Sequence, residues 1–438
     1  MDIHQLYEIY LNHPVITTDS RDCPEGSLFI ALKGDSFDGN KFAAMALSKG
    51  CSYAIVDDPA CVVPGDDRFI LVDNALTAFK ELAREHRRRF DIPVIGITGT
   101  NGKTTTKELI SAVLAEKYEV MHTLGNYNND VGVPKTLMRL QPSHEIAVVE
   151  MGASHPGDIK QLVDYVEPTC GLVTNVGRAH LQGFGSFEGV KRTKGELYDY
   201  LKANDCTVFL NESNADLVEM ARQRELDRVI SYGQGDAYRV SGEVIGCAPF
   251  LKFEWHAVLA AGSLPVTCEV QTQLIGAYNI DNMLAAIAVG LSFGLTPEQI
   301  NHALETYVPT NNRSQLTVTP TNKLLVDAYN ANPSSMNAAI DNFKLMDVAK
   351  KMAILGDMRE LGDVSEAEHQ KVVDKLREDG FTEVWLVGDE FCQTITDFRK
   401  FHNVEEVKAE IAKCRPEDYY ILIKGSNGIR LFELPELL

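Results

Sequence analysis

The stretch from residue 93 to residue 106, PVIGITGTNGKTTT, leads from apolar residues into closely spaced glycines and then into a Lys-Thr-Thr sequence. A short apolar run before a turn is typical of a buried strand, and a helical pattern follows the turn. Glycines let backbone N–H groups approach phosphate oxygens, and a helix N-terminus favours their negative charge. The stretch therefore predicts an α/β fold with a phosphate-binding loop between a strand and a helix.

The polar residues of this loop have predicted roles. Lys103 would neutralise the β and γ phosphates of a nucleotide, and the Thr104 hydroxyl would coordinate Mg²⁺. The predicted nucleotide-binding residues are Gly99, Thr100, Asn101, Gly102, Lys103, Thr104 and Thr105. The pattern is a variant, because the spacing G-x-x-x-x-G-K-[ST] would require glycine in place of Ile97. A tight turn with an exposed lysine is the alternative, and the loop alone does not separate a ligase from a kinase or a GTPase.

Strand-like and helical patterns alternate in three blocks along the chain. The strand candidates are residues 27–32 and 53–57 in the first block, 93–98, 146–151, 171–176 and 207–211 in the second, and 324–328, 351–356, 383–388 and 419–425 in the third. Residues 231–273 alternate apolar and polar side chains, which favours antiparallel strands. These patterns predict three α/β domains: a small N-terminal domain (1–88), a central ATPase-type phosphate-loop domain with a mostly parallel sheet (89–311), and a C-terminal Rossmann-like domain (312–438).

Composition excludes several classes of protein. A chain of 438 residues exceeds what one core usually serves, and 42 Lys and Arg against 62 Asp and Glu argue against nonspecific nucleic-acid binding. The nine cysteines contain no C-x-x-C pair, so we expect no disulfide framework or zinc ribbon and a reducing cytoplasm. The amino terminus lacks a signal-peptide pattern, and no apolar run has membrane-spanning length, so neither secretion nor membrane insertion is expected.

The TGTNGKTT form of the loop resembles that of the Mur ligase superfamily, and the agreement extends over nearly the whole chain. In the first block, TDSR (18–21) and GSLFIALKGDSFDGN (26–40) are similar to the UDP-binding domain of the family members that add D-Ala-D-Ala. The resemblance implies that Ser20 and Arg21 help to bind a UDP-sugar. A polar turn is the alternative for these residues. Asn40 stands where the family often has histidine, so no role is assigned to it.

Two segments of the central block resemble family sites for the muramoyl-peptide and for adenine. GNYNNDVGVPKTL (125–137) is similar to the segment beside the muramoyl-peptide, which implies substrate-binding roles for Asn126, Asn128 and Asn129. An ordinary loop would also use asparagine. GAYNIDNMLAAIAVG (276–290) is similar to the helix near adenine, with Asn279 as the base contact and Asn282 in support. Tyr278 replaces the usual histidine.

The resemblance also implies two Mg²⁺ ions and a modified lysine. Glu150 ends a strand, and His180 lies in TNVGRAHLQGFGS; both match metal ligands of the family. A carboxylate at the end of a strand is well placed beside bound phosphates, whereas a hydrogen-bonded surface histidine is the alternative for His180. Lys194 matches a lysine that the family carbamylates, which would make it a long anionic oxygen ligand. A solvated lysine on an amphipathic helix is the alternative for Lys194, since Lys191 and Arg192 adjoin it.

In the third block, the resemblance assigns residues to ATP and to an incoming dipeptide. Arg313 matches an arginine that reaches toward the γ-phosphate, although Asn312 stands where glycine is common. Asp327 and Asn330, in DAYNANP, are predicted to contact ATP. LGDMRELG (355–362) and IKGSNGIRLFE (423–433) complete the pattern of the D-Ala-D-Ala-adding enzymes. This pattern implies that Lys424 and Ser426 bind substrate, with Asn427 where arginine is frequent.

The function implied is ligation of D-alanyl-D-alanine to UDP-N-acetylmuramoyl-tripeptide through an acyl phosphate, with Lys103, His180, Lys194 and Arg313 as catalytic residues. The expected protein is a cytoplasmic monomer that uses ATP. A ligase adding one amino acid and a folate polyglutamate synthetase are the alternatives within the superfamily. A phosphate-loop switch protein and an inactive scaffold are the alternatives from other classes. The sequence does not reveal whether the tripeptide ends in meso-diaminopimelate or in lysine.

Overall fold

The computed structural model describes residues 2–34, 36–235, 238–247, 249–259, 264–309 and 315–438. Within these residues the chain forms three successive α/β units, each built on one main sheet. This confirms the predicted architecture of three α/β domains, whereas the boundaries at 88/89 and 311/312 stay predictions. No helix in the described ranges is both long and apolar enough to cross a membrane.

The first unit is a four-stranded parallel sheet between helices. Its elements are α1 (Ile3–Asn12), β1 (Ile16–Thr17), β2 (Leu28–Ile30), β3 (Lys33–Gly34), β4 (Phe37–Asp38), α2 (Ala43–Ser48), β5 (Tyr53–Val56), β6 (Phe69–Leu71) and α3 (Ala75–Arg87). The strand order is β1-β2-β5-β6, with β3 and β4 as a separate hairpin. Helices α1 and α3 cover one face of the sheet and α2 covers the other. Burial on both faces explains why β2 and β5 are unbroken apolar runs.

The central unit contains the phosphate loop and a nine-stranded sheet. Its elements are β7 (Val94–Thr98), α4 (Lys103–Ala115), β8 (Val120–His122), α5 (Gly132–Leu137), β9 (Ile146–Glu150), α6 (Asp158–Val166), β10 (Cys170–Val173), α7 (Leu181–Phe184), α8 (Phe187–Ala203), β11 (Thr207–Asn211), α9 (Ala215–Gln223), β12 (Val229–Gln234), β13 (Val240–Cys247), β14 (Phe250–Ala257), β15 (Val266–Ile275), α10 (Ile280–Ser292) and α11 (Pro297–Thr306). The order is β15-β14-β13-β12-β11-β10-β7-β9-β8. In this order, all neighbouring strands from β8 through β7 to β13 pair in parallel. Strands β13, β14 and β15 pair antiparallel, as the alternating pattern in residues 231–273 predicted.

The third unit is a six-stranded sheet. Its elements are β16 (Gln315–Val318), β17 (Lys323–Asp327), α12 (Pro333–Leu345), β18 (Lys351–Gly356), α13 (Ser365–Glu378), β19 (Glu383–Val387), α14 (Asp389–Gln393), β20 (Arg399–Phe401), α15 (Val404–Lys413) and β21 (Tyr420–Lys424). The order is β16-β17-β21-β18-β19-β20, and only the β16–β17 pair is antiparallel. Apolar clusters lie on both faces of this sheet, as they do in the central unit.

The charged stretch 81–89 joins the first unit to the central one. Helix α3 lies against the C-terminus of α6, where Arg87 donates from Nε to the Val166 carbonyl at 3.1 Å. Arg84 and Arg88 form salt bridges with Glu167 at 2.9 and 2.6 Å. Cations suit the negative end of a helix dipole. The charges in this stretch therefore stabilise an interface between two units.

Two strands are clearly shorter than predicted: the run 27–32 forms only β2 (Leu28–Ile30), and the run 171–176 forms the end of β10. The apolar run 171–176 suggested a strand to Val176, but β10 ends at Val173. The next two residues turn toward the phosphate loop, because the Thr174 hydroxyl donates to the Asn101 carbonyl at 2.6 Å. Asn175 also donates to that carbonyl, from its side-chain amide at 3.0 Å. Polar contacts with the loop thus end the strand.

Candidate active site

A cavity of 1140 Å³, here called the main cavity, lies between the central and third units. It opens at the carboxyl ends of strands from both sheets, where α/β folds bind ligands. The predicted site residues that line it are Thr100, Asn101, Gly102, Lys103, Thr105, Asn126, Asn128, Asn129, Glu150, His180, Asn279, Asp327, Asn330 and Lys424. The structure therefore brings most of the predicted site together.

Other predicted residues lie elsewhere. Gly99 and Thr104 belong to the loop and to the first turn of α4, and Lys194 and Ser426 are buried beside the lining residues. Ser20 and Arg21 belong to the first unit and do not line the main cavity. Arg313, predicted to reach the γ-phosphate, lies outside the described residues together with Asn312.

The phosphate loop depends on two glycines with backbone conformations that other residues rarely adopt. Gly99 has φ +145° and Gly102 has φ +75°. A Cβ atom at Gly99 would lie 2.0 Å from the Thr174 hydroxyl oxygen, and one at Gly102 would lie 2.7 Å from Oδ1 of Asn282. Both positions therefore require glycine for the conformation as well as for the space.

Side chains from two units hold Asn101 in the loop. Oδ1 of Asn175 accepts from the Asn101 backbone N–H at 2.9 Å. Oδ1 of Asn101 accepts from Nδ2 of Asn332 at 2.8 Å. Asn332 is also the N-cap of α12, so the third unit touches the loop directly. Sequence reasoning missed Thr174, Asn175 and Asn332, although polar residues just beyond a strand and an Asn-Pro helix start are recognisable signals.

Lys103 covers the loop at the start of α4. Its Nζ donates to the carbonyl oxygens of Gly99 at 2.9 Å and Thr100 at 3.0 Å. The ammonium group and the N-terminus of α4 thus lie on the same side of the loop. Together they make this part of the main cavity favourable for an anion.

Glu150 is held by side chains on both of its carboxylate oxygens. Thr104 donates from its hydroxyl to Oε2 at 2.9 Å, and Asn128 donates from Nδ2 to Oε1 at 2.7 Å. The Glu150 N–H donates to the Thr123 hydroxyl at 3.0 Å. The carboxylate and the Thr104 hydroxyl are hard oxygen donors of the kind that Mg²⁺ prefers.

The donor set fits a metal that is bound together with a nucleotide. Among the described residues no group of three or more His, Cys, Asp or Glu side chains is arranged to hold a metal ion. Mg²⁺ typically takes one or two protein carboxylates and completes its octahedron with phosphate oxygens and water. Thr104 and Glu150 therefore fit such an ion beside the phosphate loop.

Lys194 is buried, which makes the alternative of a solvated lysine wrong. Only 2% of the residue is exposed, and Nζ lies 5.6 Å from the centroid of the Phe184 ring. Burial, and next the positive charge of Lys103, hold the pKa of Lys194 well below its usual value. Lys191, one turn earlier on α8, instead forms salt bridges with Asp216 and Glu219 at 3.0 and 2.7 Å.

His180 faces the third unit. Its Nδ1 contacts Oε2 of Glu360, a residue that also lines the main cavity. Burial is the main cause that lowers the pKa of His180, and the neighbouring Glu360 carboxylate opposes that effect. The ring packs edge-on against Phe184 with a centroid distance of 6.2 Å. Sequence reasoning missed Glu360, because its position depends on how the two units meet.

Asn279 and Asn282 form a relay at another part of the main cavity. Nδ2 of Asn282 donates to Oδ1 of Asn279 at 2.9 Å, and Nδ2 of Asn279 donates to the Ile275 carbonyl at 2.8 Å. Thr106 donates from its hydroxyl to Oδ1 of Asn282 at 2.9 Å. These hydrogen bonds link the start of α10 to α4, so they fix the predicted adenine region relative to the phosphate loop.

Two predicted residues of the third unit form an ion pair in which the lysine is buried and the aspartate is partly exposed. Asp327 and Lys424 end the neighbouring strands β17 and β21, and Nζ of Lys424 lies 2.5 Å from Oδ2 of Asp327. Nζ also donates to the Asn330 carbonyl at 3.3 Å. Lys424 is 1% exposed, so its ammonium is fixed at the edge of the main cavity.

A second cavity of 820 Å³ adjoins the main one, and Glu360 lines both. Its other lining residues include Asp357, Arg359, Asp389, His402 and Arg430. The Ser426 hydroxyl accepts from the Arg359 N–H at 3.0 Å, which positions the loop after β18. Asp357 accepts from the N–H groups of Glu390 and Phe391 at the start of α14, while burial raises its pKa.

In the first unit, the Arg21 side chain is 88% exposed, and its guanidinium lies 2.7 Å from Asp19. Asn40, to which no role was assigned, is buried and donates from Nδ2 to Asp38 at 2.9 Å and to Asp57 at 2.8 Å. Asn40 therefore fixes the loops of this unit, whereas Arg21 is accessible to a ligand.

Family models match the chain in three parts. "Mur ligase family, catalytic domain" matches residues 14–87, "Mur ligase middle domain" matches residues 97–290, and "Mur ligase, glutamate ligase domain" matches residues 312–427. These matches cover the three units in order. The resemblance inferred from the motifs is thereby confirmed.

Relatives and solved structures agree with these models. UDP-N-acetylmuramoyl-tripeptide–D-alanyl-D-alanine ligase from Synechocystis sp. is 37% identical over 86% of this chain and 79% of its own length. The Bacillus subtilis ligase of the same name is 35% identical over 98% and 93%. The crystal structure of MurF from Acinetobacter baumannii superimposes with a TM-score of 0.88 at 28% identity, covering 99% of this chain and 98% of that chain. MurF ligase from Thermotoga maritima, in complex with ADP, gives 0.86 at 26% identity, covering 98% and 97%.

Proposed function

The chain belongs to the Mur ligase family, and we propose that it is the ATP-dependent enzyme that joins D-alanyl-D-alanine to UDP-N-acetylmuramoyl-tripeptide. The product is UDP-N-acetylmuramoyl-pentapeptide, with ADP and phosphate. The observation that carries this proposal is the main cavity, which places a phosphate loop opposite the strand ends of the third unit. Relatives bearing this activity in their names align along nearly all of the chain.

The first chemical step activates a carboxylate. The terminal carboxylate of the tripeptide attacks the γ-phosphorus of ATP, which forms an acyl phosphate and breaks the bond to ADP. Lys103, the N–H groups of the loop and the N-terminus of α4 stabilise the negative charge on the phosphates. Arg313, predicted to reach the γ-phosphate, would add a second cation.

Thr104 and Glu150 would hold one Mg²⁺ ion, and His180 and a carbamylated Lys194 would help to hold another. The ions would neutralise charge on the transferred phosphoryl group. Burial of Lys194 supports its modification, because an amine with a lowered pKa stays unprotonated and only the unprotonated form adds to CO₂. The new N–C bond forms with release of one proton, which leaves an anionic carbamate.

The second chemical step forms the amide. The amine of the dipeptide attacks the acyl carbon, the bond to phosphate breaks, and the amine loses a proton. We place the dipeptide where the two cavities meet, near Lys424, Ser426 and the Arg359 loop. Arg359 suits the dipeptide carboxylate, because a guanidinium binds carboxylates well. Asn427, in the same loop, is not assigned a contact.

The UDP-sugar peptide would extend from the first unit to the main cavity. Ser20 and Arg21 are assigned to the UDP end, while Asn126, Asn128 and Asn129 are assigned to the muramoyl-peptide. Helix α5, directly after these asparagines, packs against α3 of the first unit, which supports a continuous path. For ATP, we assign Asn279, Asp327 and Asn330 as contacts in addition to the loop.

We also propose that the enzyme works as a monomer in the cytoplasm. All nine cysteines are free thiols, which suits a reducing compartment.

The experiment that tests the function measures ADP release with UDP-N-acetylmuramoyl-tripeptides ending in meso-diaminopimelate or in lysine. Each is combined with D-Ala-D-Ala, D-Ala, L-Ala or glutamate. Turnover that requires both the UDP-tripeptide and D-Ala-D-Ala is expected, and mass spectrometry should identify the pentapeptide. Nucleotide hydrolysis without either acceptor would instead indicate a phosphate-loop switch, and turnover with a single amino acid would indicate another ligase of the family.

A further inference from the structure

We propose that Glu360 is a positioning residue: from the third unit, its carboxylate orients the imidazole of His180 so that the other ring nitrogen, Nε2, can bind a metal. The inference rests on the proposed role of His180 in holding Mg²⁺. It adds a residue from a different unit to the metal site and makes that site depend on contact between the two units.

The first support is the contact itself. Nδ1 of His180 meets Oε2 of Glu360 across the boundary between the central and third units. His180 lies in the loop that follows β10, and Glu360 lies in the loop that follows β18. Both loops leave the carboxyl ends of their strands, where ligands bind in folds of this type.

Backbone geometry gives the second support. His180 has φ +50° and Glu360 has φ +65°, although neither is glycine. Such conformations are unfavourable for residues with a Cβ atom and cluster at functional sites. Two residues in contact therefore both keep an unfavourable backbone conformation.

The two loops also pack together beyond this pair. A Cβ atom at Gly362 would lie 3.7 Å from Cβ of Gln182, so the segment after β18 passes close to the short helix α7 that follows His180. On the other side, the Phe184 ring meets the imidazole edge-on. His180 is thus restrained by an aromatic ring from its own unit and by a carboxylate from the third.

The contact matters for metal binding because it selects which nitrogen of the His180 imidazole carries the proton. A neutral imidazole carries one proton, and the nitrogen without the proton is the metal ligand. Donation from Nδ1–H to a carboxylate keeps the proton on Nδ1 and leaves the lone pair on Nε2. Metal-binding histidines usually have such a partner, and losing it typically weakens metal binding about 10–100-fold.

A purely structural role makes a different prediction. Glu360 is 60% exposed, and an exposed ion pair contributes little to stability. If the pair only joined the two units, its loss would weaken nucleotide binding with and without metal alike. If Glu360 orients His180, only metal binding should change.

The test measures Mn²⁺ binding by electron paramagnetic resonance, with a non-hydrolysable ATP analogue bound to the full-length protein. The variants are Glu360→Ala, Glu360→Gln, His180→Ala and the double variant Glu360→Ala with His180→Ala. Glu366→Ala is the matched control, because Glu366 is an exposed carboxylate of the same unit. Circular dichroism checks folding, and analogue affinity in EDTA reports nucleotide binding without metal.

We expect Glu360→Ala to weaken Mn²⁺ binding about 10–100-fold, and the glutamine variant to lose less because its amide oxygen still accepts from Nδ1–H. The double variant should bind no more weakly than His180→Ala, and Glu366→Ala should match the parent. Mn²⁺ binding within twofold of the parent in Glu360→Ala, or fully additive losses in the double variant, would overturn the inference while the function stands. Unchanged Mn²⁺ binding in His180→Ala would overturn the proposed metal role of His180 and the inference with it.

Discussion

Replacing Lys194 by methionine removes a buried amine while keeping an unbranched side chain of similar length. Lys194 is 2% exposed, and burial holds the pKa of its amine well below the usual value. Folding therefore has to remove a polar amine from water, which costs free energy that a methionine side chain does not cost. A volume-conserving exchange usually costs less than about 1.5 kcal/mol. We therefore expect the free energy of unfolding of Lys194→Met, measured in CO₂-depleted buffer, to equal or exceed that of the parent.

The kcat of Lys194→Met should fall, although its free energy of unfolding does not. Methionine cannot form a carbamate, so the variant lacks the anionic oxygen that we assign to a metal ion. Losing one electrostatic group from an active site typically lowers kcat by roughly 10²–10³-fold. ADP release at saturating substrates gives kcat, and denaturation in guanidinium chloride gives the free energy of unfolding.

Comparison with Lys194→Ala makes the test specific. Alanine leaves a space in the buried pocket beside Phe184, which formate or acetate can occupy as a small anionic ligand. Methionine fills that space, so the same anions should restore part of the activity of the alanine variant only. Acetamide is the neutral control. Parental kcat in Lys194→Met, or equal rescue by acetate and acetamide, would refute the carbamate assignment.

Three further predictions concern separate parts of the molecule. Lys103→Ala should abolish ADP release and leave the melting temperature within a few degrees, because the Lys103 ammonium donates to carbonyls of a loop that lines an open cavity and is not packed in a core. Arg21→Ala should raise the KM for the UDP-tripeptide more than the KM for ATP, since Arg21 lies in another unit; equal changes in initial-rate measurements would contradict this. Burial lowers the pKa of His86, so the unfolded chain binds more protons between that lowered value and about 6.5. The free energy of unfolding should therefore fall as the pH drops through this window, and it should fall less in His86→Gln. Urea denaturation at several pH values measures this difference, and parallel curves would refute it.

The sequence was sufficient to predict the strands at 94–98, 146–150 and 207–211, because contiguous apolar residues are buried on both faces of the sheet. The phosphate loop was predictable for a local reason, since its glycines and lysine are adjacent in the chain. Glu150 followed from its place at the end of a strand. These features depend on short-range patterns, which a single sequence retains.

Lys194 shows a signal that was present but overlooked. It lies four residues after Val190 and three before Leu197, both fully buried on α8, so helical periodicity places it on the apolar face. The charged neighbours Lys191 and Arg192 concealed this pattern. The contact between His180 and Glu360 is a different case, because it depends on how two separately folded units meet, and the sequence carries no local mark of that arrangement.

The third unit touches the phosphate loop through a polar contact but meets the central unit through apolar contacts as well. Asn332 donates to Asn101 of the loop. Away from the loop, Ile275 of β15 belongs to the same buried apolar cluster as Leu325 and Met336 of the third unit, and the Ala277 N–H donates to Asn342 at 3.1 Å. A single neutral hydrogen bond contributes only about 0.5–1.5 kcal/mol, whereas fully burying one large apolar side chain contributes about 1.5–3 kcal/mol. The apolar cluster therefore supplies the larger part of the energy that holds the two units together, and the polar contact fixes the position of the third unit at the loop.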